Sequence, residues 1–248
     1  MNIVAIKTHT ITPKDTDIFA VLDAYIKELP EKSVIAVTSK IVSITEGRVV
    51  KIGDKDKDEL IAEESQYFLP RNKSKYQVSF TIAHNMLVPT AGIDESNGNG
   101  YFVLWPKNPQ ASVNAIREHL VQRFGVKEVG VIITDSKTTP LRWGVTGMAI
   151  AHSGFHPLKN YIGEKDLFGR PFVFEQLNIA DSLATSAVFS MGEGAEQTPL
   201  ALITDVPHIA FQENNPTPEE LASMAIDAKE DLYEPLLTSV QWKKGKKS

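Results

Sequence analysis

Short apolar runs alternate with segments of helical spacing along most of this 248-residue chain. Residues 129–134 form the clearest run of the first kind, which is typical of a buried strand. Residues 112–124 belong to the second kind, because Val113, Ile116 and Leu120 recur on one face of an amphipathic helix. Such alternation predicts an α/β protein with mixed sheets and flanking helices.

The remaining elements follow from the same spacing and from proline and glycine as breaking residues. Strands are predicted at residues 34–37, 49–52, 78–82, 86–88, 146–152, 172–177 and 200–204, and helices at 17–29, 56–65, 179–191 and 217–232. We expect a single domain over residues 1–248 that divides into two lobes near 105–110 or 136–145, within the range 105–145. The basic residues 243–248 predict a solvated, disordered tail.

Composition excludes several classes of protein. The chain has no cysteine, which rules out disulfides, thiolate nucleophiles and cysteine-ligated zinc. Its net charge of −5 argues against a dedicated nucleic-acid binder, which is usually basic. No apolar run approaches the roughly 20 residues that cross a bilayer, and the first residues lack the apolar core of a signal peptide. These features predict a cytoplasmic protein with no nucleic-acid or membrane partner.

Three acidic residues stand beside glycines or small polar residues, each where an apolar run ends. They are Asp94 after Ile93, Asp135 after the run 129–134, and Glu193 between two glycines. A carboxylate at the end of a buried strand lies at the rim of the sheet, where α/β proteins bind ligands. Carboxylates from separate segments suit hard divalent cations, and magnesium is normally shared with substrate phosphates. Each acid alone is better explained as a turn or cap residue, but together they indicate nucleotide chemistry.

Familiar catalytic motifs are absent from the sequence. The chain has no Walker A motif, dinucleotide fingerprint, His-Glu-x-x-His zinc motif or nucleophile elbow. His152 and His156 are four residues apart, but Gly154 and Pro157 break the helix that a metal-binding pair would need. A nucleotide site in this chain is therefore of a non-standard kind.

Several spaced segments carry a resemblance to a known family. They include AGIDESN at 91–97, GVIITDS at 130–136, YIGEKDLFGR at 161–170 and MGEG at 191–194. In this order they resemble the coenzyme F420-0:L-glutamate ligase family, and the likeness runs from residue 34 to residue 203. The resemblance implies a GTP-dependent enzyme that attaches γ-linked glutamate to a deazaflavin cofactor precursor. It also implies the α/β fold particular to that family and a homodimer with the nucleotide in a groove.

The resemblance also implies a set of site residues. Two divalent ions, Mg²⁺ or Mn²⁺, would be held by Asp94, Asp135, Ser136 and Glu193. Nucleotide contacts would come from a larger set: Ile11, Thr12, Pro13, Lys14, Ser39, Lys40, Asn97, Met191, Gly192, Glu193, Gly194, Ala195, Glu196, Gln197 and Thr198. Arg142 joins the three acids as a predicted catalytic residue, because a guanidinium binds carboxylate or phosphate in a bidentate manner. Beside Trp143, it is alternatively a packing residue.

The expected chemistry follows from the poor leaving group of a carboxylate. Transfer of a phosphoryl group makes an acyl phosphate, which the amine of glutamate attacks. The sequence thus predicts a GTP- or ATP-dependent ligase that adds L-glutamate through a γ-glutamyl amide bond to a cofactor carboxylate.

Two departures from the family pattern leave the acceptor open. Ile44 stands where the family usually has lysine, and residues 137–140 follow the Thr-Asp motif where the family has Gly-Arg. A folate-like acceptor is therefore an alternative to an F420-0-like one. Two other functions remain open: a catalytically inactive, nucleotide-binding regulator, and a ligase that glutamylates a protein or peptide carboxylate.

Overall fold

The computed structural model describes residues 1–247 and confirms the α/β class with mixed sheets. Its strands are β1 (Asn2–Ile6), β2 (Ser33–Thr38), β3 (Val49–Lys51), β4 (Tyr67–Phe68), β5 (Phe80–Ala83), β6 (Met86–Pro89), β7 (Tyr101–Val103), β8 (Val129–Thr138), β9 (Val145–Ser153), β10 (Leu158–Asn160), β11 (Gln176–Asn178), β12 (Leu200–Thr204) and β13 (Lys243–Lys244). Its α-helices are α1 (Ile18–Tyr25), α2 (Ser39–Thr45), α3 (Lys57–Glu64), α4 (Pro109–Phe124), α5 (Ile179–Met191), α6 (Pro218–Ala222) and α7 (Glu234–Leu237). Among these described residues, no helix has the length and hydropathy needed to cross a membrane.

The larger sheet has five strands in the order β1-β12-β2-β8-β9. In this sheet β2 and β8 run parallel, and Thr38 at the end of β2 lies opposite Thr134. The other neighbouring strands are antiparallel. The β8–β9 pairing shifts register between Ile133 and Thr134, and β8 continues beyond the end of β2.

Alternating side chains of the larger sheet build a core on each of its faces. Ile35 and Val37 of β2 belong to the core that contains α1 and α4. Val34 and Ala36 belong to the core that contains α5. Neighbouring residues of a strand point to opposite faces, which explains this division. Each buried aliphatic side chain contributes roughly 1.5–3 kcal/mol, so both helical layers stabilise the sheet.

Residues 49–104, between α2 and α4, form a smaller lobe together with β13 from the end of the chain. Its strands pair in the order β13-β4-β5-β6, and β3 pairs with β7. Ile61 of α3 and Phe102 of β7 belong to a separate small core. Ala83 and Val88, in contrast, pack in the core of the larger sheet, so the two lobes are joined by apolar contacts.

The predicted helices are found, but several bounds differ. α5 has the predicted bounds, because the side chain of Asn178 caps its first turn and Gly192 ends it. α4 begins at Pro109 instead of residue 112, since the side chain of Asn108 accepts a hydrogen bond from the amide of Ala111. α1 ends at Tyr25 instead of residue 29. Ile26 is already extended, with a φ of −84° and a ψ of 111°, so the helix ends well before Pro30.

The predicted strand at 172–177 is wrong over most of its length. Only its last two residues join a strand, β11. The backbone amides of Val173 and Phe174 donate instead to the carboxylate of Glu175, which forms a turn. The sequence patterns also did not identify β1 or α2.

The predicted helix at 217–232 is reduced to α6. A capping box between Thr217 and Glu220 begins this helix as its sequence predicts. Further along, the amide of Lys229 donates to the side chain of Asp227 at 2.9 Å. Such a local bond competes with the helical backbone, and the helix does not continue.

The prediction of a disordered basic tail is also wrong for the described residues. Lys243 and Lys244 form β13 and pair with β4. The Nζ atom of Lys247 lies 3.0 Å from Oε2 of Glu64. Acidic side chains of α3 thus hold this segment, and they are distant from it in the sequence. Ser248 lies outside the described residues.

Candidate functional site

A cavity of about 430 Å³ lies where β2 ends, with walls from both lobes. Thr38 and Ser39 line it at the end of β2, and Thr134 lines it on the parallel strand β8. Gly92 and Val103 contribute from the smaller lobe. The carboxyl end of a parallel strand is a common ligand site in α/β proteins, so the position itself favours binding.

Most of the predicted site residues meet in this cavity. It is lined by all four predicted metal ligands and by Ile11, Ser39, Lys40, Asn97 and the loop of residues 191–198. A recess of about 80 Å³ shares Ile11 and Asn97 with it and adds Thr12 and Pro13. Lys14 and Arg142 line neither space. Arg142 lies exposed in the turn between β8 and β9, so this chain does not bring it to the predicted catalytic acids.

Asp94 is held by backbone pairing and by a lysine. Its amide donates to the carbonyl of Val103 at 3.0 Å. The Nζ atom of Lys40 lies 2.6 Å from Oδ2 of Asp94, and the amide of Ser96 donates to Oδ1 at 2.8 Å. Burial disfavours the charged carboxylate, but Lys40 and Ser96 outweigh it and keep the pKa of Asp94 below its ordinary value.

The position of Asp135 after an apolar run predicted that it would lie at the end of its strand. In the structure it lies within β8, which continues to Thr138. It still reaches the rim, because it is the first residue of β8 beyond the end of the parallel strand β2. The indole Nε1 of Trp105 donates to Oδ2 of Asp135, and the amide of Ser136 donates to Oδ1 at 2.7 Å. Burial nevertheless raises the pKa of Asp135 to about 6, and the nearby carboxylate of Asp94 adds to this rise.

Glu193 is connected to β8 through a serine. It follows Gly192, which ends α5 with a φ of 82°. The hydroxyl of Ser136 donates to Oε1 of Glu193 at 2.7 Å. The side-chain amide of Asn97 donates to the carbonyl of Gly194 at 3.0 Å. These contacts bring the loop after α5, strand β8 and the smaller lobe together around one space.

The loop after α5 already holds an anionic group of the protein. The amide of Gly194 donates to Oε2 of Glu196 at 2.8 Å. Gly192 has a φ of 82°, a backbone conformation that other residues rarely adopt, so a glycine is needed where this loop leaves α5. Phosphate oxygens accept hydrogen bonds from such amides in the same way. The loop therefore fits a phosphate group.

The oxygen donors of the site fit a hard divalent cation. Among residues 1–247, no group of three or more histidine, aspartate and glutamate side chains is assembled closely enough to hold a metal ion as it stands. Each of the three carboxylates instead accepts a hydrogen bond or ion pair from Lys40, Trp105 or Ser136. Carboxylate and hydroxyl oxygens suit Mg²⁺ and Mn²⁺. A cation would have to displace at least one of these protein donors.

The sequence patterns missed two residues that shape the cavity. The only local signal for Trp105 is a large aromatic residue at the end of the apolar run 101–105. His9 lines the cavity, with Nε2 2.9 Å from Oδ1 of Asp15 and Nδ1 2.8 Å from the hydroxyl of Tyr25. These bonds fix the first loop of the chain, and only the folded structure brings their partners together.

Comparisons with known proteins agree with one another. A family model described as F420-0:Gamma-glutamyl ligase matches residues 5–205. The coenzyme F420:L-glutamate ligase of Methanosarcina acetivorans is 34% identical over 213 residues, which cover 78% of this chain and 84% of the relative. The protein of the same name from Methanopyrus kandleri is 33% identical over 202 residues, which cover 75% of this chain and 80% of the relative.

Proposed function

The chain belongs to the F420-0:gamma-glutamyl ligase family, and on this basis we propose that it is a nucleotide-triphosphate-dependent glutamate ligase. It joins L-glutamate to the carboxylate of a deazaflavin-type cofactor through a γ-glutamyl amide bond. The names of the relatives favour this acceptor over a folate-like one. GTP is the first nucleotide to test and ATP is the second.

One arrangement supports the proposal most directly. The carboxylates of Asp94, Asp135 and Glu193 line the same cavity as the ammonium of Lys40 and the amides of the loop after α5. This combination of acidic oxygens, a lysine ammonium and backbone amides is suited to a triphosphate with a divalent cation.

The chemistry needs positioning and neutralisation more than a protein nucleophile. Lys40 neutralises phosphate oxygens, and the amide of Gly194 donates to them once the side chain of Glu196 moves aside. A divalent cation held by the three acids would neutralise further charge on the phosphate oxygens. The acceptor carboxylate attacks the terminal phosphorus, the bond from that phosphorus to the bridging oxygen breaks, and the nucleoside diphosphate leaves. The amine of glutamate then attacks the acyl carbon, releases inorganic phosphate and loses a proton as the amide bond forms.

An apolar wall provides a place for a flat ring. Ile11, Ile44 and Val103 line both the cavity and the recess. Aliphatic side chains of this kind pack against the face of a nucleobase, while polar groups at the edge supply orientation. The side chain of Asn97 lies at the same junction. The isoleucine at position 44 therefore provides packing in place of a charge.

We propose further that the active protein is a homodimer. Large apolar side chains project from the β8–β9 turn and from the segment between β10 and α5: Leu141, Trp143, Leu167, Phe168 and Phe174 are between 86% and 103% exposed. Exposed apolar residues in such number usually mark an interaction surface. Sedimentation of the full chain should give twice the mass of one chain, and Trp143→Ser together with Phe168→Ser should reduce it.

The activity is tested with full-length protein, Mg²⁺, L-glutamate, one nucleotide and one acceptor. The proposal expects glutamate-dependent phosphate release and a product heavier by one glutamyl unit when the acceptor is F420-0. Asp135→Asn should abolish both, whereas Asp54→Asn, a matched change on the exposed surface, should not. Nucleotide binding without turnover on any acceptor would indicate an inactive regulator and would contradict the proposal.

A further inference from the structure

Trp105 connects the smaller lobe to the acid that lies deepest in the site. The residue follows β7 and is only 3% exposed. Its indole Nε1 donates to Oδ2 of Asp135, which is 30 residues away in the sequence. Indole nitrogen is a donor only, so the side chain of Trp105 has no ligand atom for a cation. The ring lines the cavity, and its polar contact with the site is the hydrogen bond to Asp135.

The indole is itself held in place from several sides. A Cβ atom at Gly92 would lie 2.2 Å from the indole ring, so the glycine leaves the space that the ring fills. The ring of His84 lies 5.9 Å from that of Trp105, measured between centroids. The Nε atom of Arg48 donates to the carbonyl of Trp105 at 3.0 Å. Both the ring and the backbone of Trp105 are therefore fixed before any ligand arrives.

Arg48 is in turn anchored to the smaller lobe. Its guanidinium lies 2.7 Å from Oε2 of Glu64, whose side chain is only 15% exposed. The same carboxylate oxygen pairs with Lys247 at 3.0 Å. The rigid support of Trp105 thus extends through α3 to the C-terminal strand segment, which lies outside the region of the family match.

The hydrogen bond from Trp105 determines how Asp135 presents its oxygens. One oxygen accepts from the indole, and the other accepts from the amide of Ser136 at 2.7 Å. Two donors on two different oxygens fix the rotation of the carboxylate. Each oxygen keeps a further lone pair for another partner. Fixed orientation of a ligand by an outer donor is a general feature of metal sites.

We propose that Trp105 is a positioning residue that orients the carboxylate of Asp135 for a divalent cation. This inference rests on the proposed function, because it assigns the cation site to the same cavity. An alternative role for a buried tryptophan is packing alone. The two roles differ in one respect: packing requires the ring, whereas orientation requires the N–H group.

Trp105→Phe separates the two roles, because it keeps an aromatic ring and removes the donor. Trp242→Phe is the matched control, since the indole of Trp242 donates to the carbonyl of Leu237 at 2.7 Å, away from the cavity. Mn²⁺ binding to the full chain is measured by electron paramagnetic resonance, with and without GDP. Trp105→Phe should weaken Mn²⁺ binding by about 10-fold or more, as loss of an outer donor typically does. Trp242→Phe should leave it unchanged.

Asp135→Asn distinguishes failure of this inference from failure of the cation site. If Asp135→Asn weakens Mn²⁺ binding and Trp105→Phe does not, the positioning role is wrong while the site stands. If neither variant changes the affinity, or if the parent protein binds no Mn²⁺, both the site and the inference are overturned. Thermal unfolding of each variant identifies any general loss of structure.

A spectroscopic measurement tests the bond without relying on affinity. In protein labelled with ¹⁵N at its indole groups, the Trp105 N–H signal is assigned by elimination, because the other two signals are lost in Trp143→Phe and in Trp242→Phe. This signal should move when Mg²⁺ is added and when Asp135 is replaced by asparagine, while the Trp242 signal stays in place. A Trp105 signal that responds to neither change would overturn the proposal, even if Trp105→Phe unfolds.

Discussion

The Nζ atom of Lys40 lies 2.6 Å from Oδ2 of Asp94 and 2.8 Å from the carbonyl oxygen of Ser96. The lysine thus neutralises a predicted cation ligand in the ligand-free protein. In the proposed function, a cation at this carboxylate would release the ammonium toward the phosphates of the nucleotide.

Replacement of Lys40 by methionine should raise the KM for the nucleotide about 10-fold or more, because a charge-assisted contact typically contributes about 1.5–3 kcal/mol. Steady-state kinetics with varied nucleotide measures the effect. Lys32→Met is the matched control, since the side chain of Lys32 is 68% exposed and pairs only loosely with Glu128 at 3.5 Å. An unchanged KM in Lys40→Met would exclude contact between the lysine and the phosphates.

Asp135→Asn should stabilise the metal-free protein near neutral pH. The folded-state pKa of Asp135 is raised to about 6 from 3.8, so the folded protein binds this proton more tightly than the unfolded chain does. The stability that the protein gains from this tighter proton binding is fully present below about pH 3.8 and is lost as the pH rises through about 6. Asparagine at position 135 carries no charge and so avoids that loss. Its single side-chain oxygen, however, accepts only one of the two hydrogen bonds that Asp135 accepts from Trp105 and Ser136. The net gain in unfolding free energy should be roughly 1–2 kcal/mol at about pH 7.5.

Urea denaturation in the presence of a chelator measures this gain at several pH values. The difference between Asp135→Asn and the parent should shrink as the pH falls from about 7 toward about 4. A variant that is less stable than the parent near neutral pH would show that the buried charge is compensated in another way.

Glu196→Gln should bind nucleotide several-fold more tightly than the parent. The carboxylate of Glu196 accepts the Gly194 amide that we assign to a phosphate, so it competes with the nucleotide and repels it. Glutamine keeps an oxygen acceptor and removes the negative charge. Calorimetric titration with GTP measures the affinity, and Glu230→Gln on the exposed surface serves as the control for net charge. Weaker binding by Glu196→Gln would indicate that Glu196 itself contacts the nucleotide or its cation.

His152 should make the protein sensitive to mild acid. The side chain is 3% exposed, its Nε2 atom has no hydrogen-bond partner, and burial lowers its pKa from 6.5 to about 4. Between these values the unfolded chain takes up a proton that the folded protein does not, so stability falls as the pH drops. The loss amounts to at most roughly 3 kcal/mol.

His152→Phe should retain more of its stability than the parent between about pH 6.5 and about pH 4, as measured by chemical denaturation. Above this window, the difference between the two proteins should be independent of pH. Equal pH dependence in both would assign the acid sensitivity to other groups, of which His84 is one, because burial lowers its pKa to about 4 as well.

Local sequence signals predicted those parts of the fold that depend on local interactions. The predicted bounds of α5 agree with the cap at Asn178 and with the glycine at 192, which both act within one turn of the helix ends. The predicted helix at 217–232 failed because the side chain of Asp227 bonds to the backbone two residues later. Residues 217–232 have the composition of a helix, and the spacing of their apolar residues does not indicate this competing turn.

The candidate site was predictable only in part, for a similar reason. Asp94, Asp135 and Glu193 were found because each stands at a change from apolar to small or polar residues. Their positions at the ends of apolar runs suggested a shared site at the sheet rim, and the family resemblance assigned them to one pair of cations. The bond between Trp105 and Asp135 arises from the packing of two lobes, which no local pattern encodes. The ordered C-terminal segment depends on distant acids of α3 in the same way.

In the proposed mechanism, a phosphoryl group is transferred to the acceptor carboxylate in this cavity before glutamate attacks. The most direct test uses F420-0 whose acceptor carboxylate is labelled with ¹⁸O, together with GTP, Mg²⁺ and L-glutamate. Attack by a labelled oxygen on phosphorus carries that oxygen into the released phosphate, so mass spectrometry should find one ¹⁸O in the phosphate for each glutamate attached. Glutamylated product accompanied by unlabelled phosphate, or no glutamylated product at all, would contradict the account.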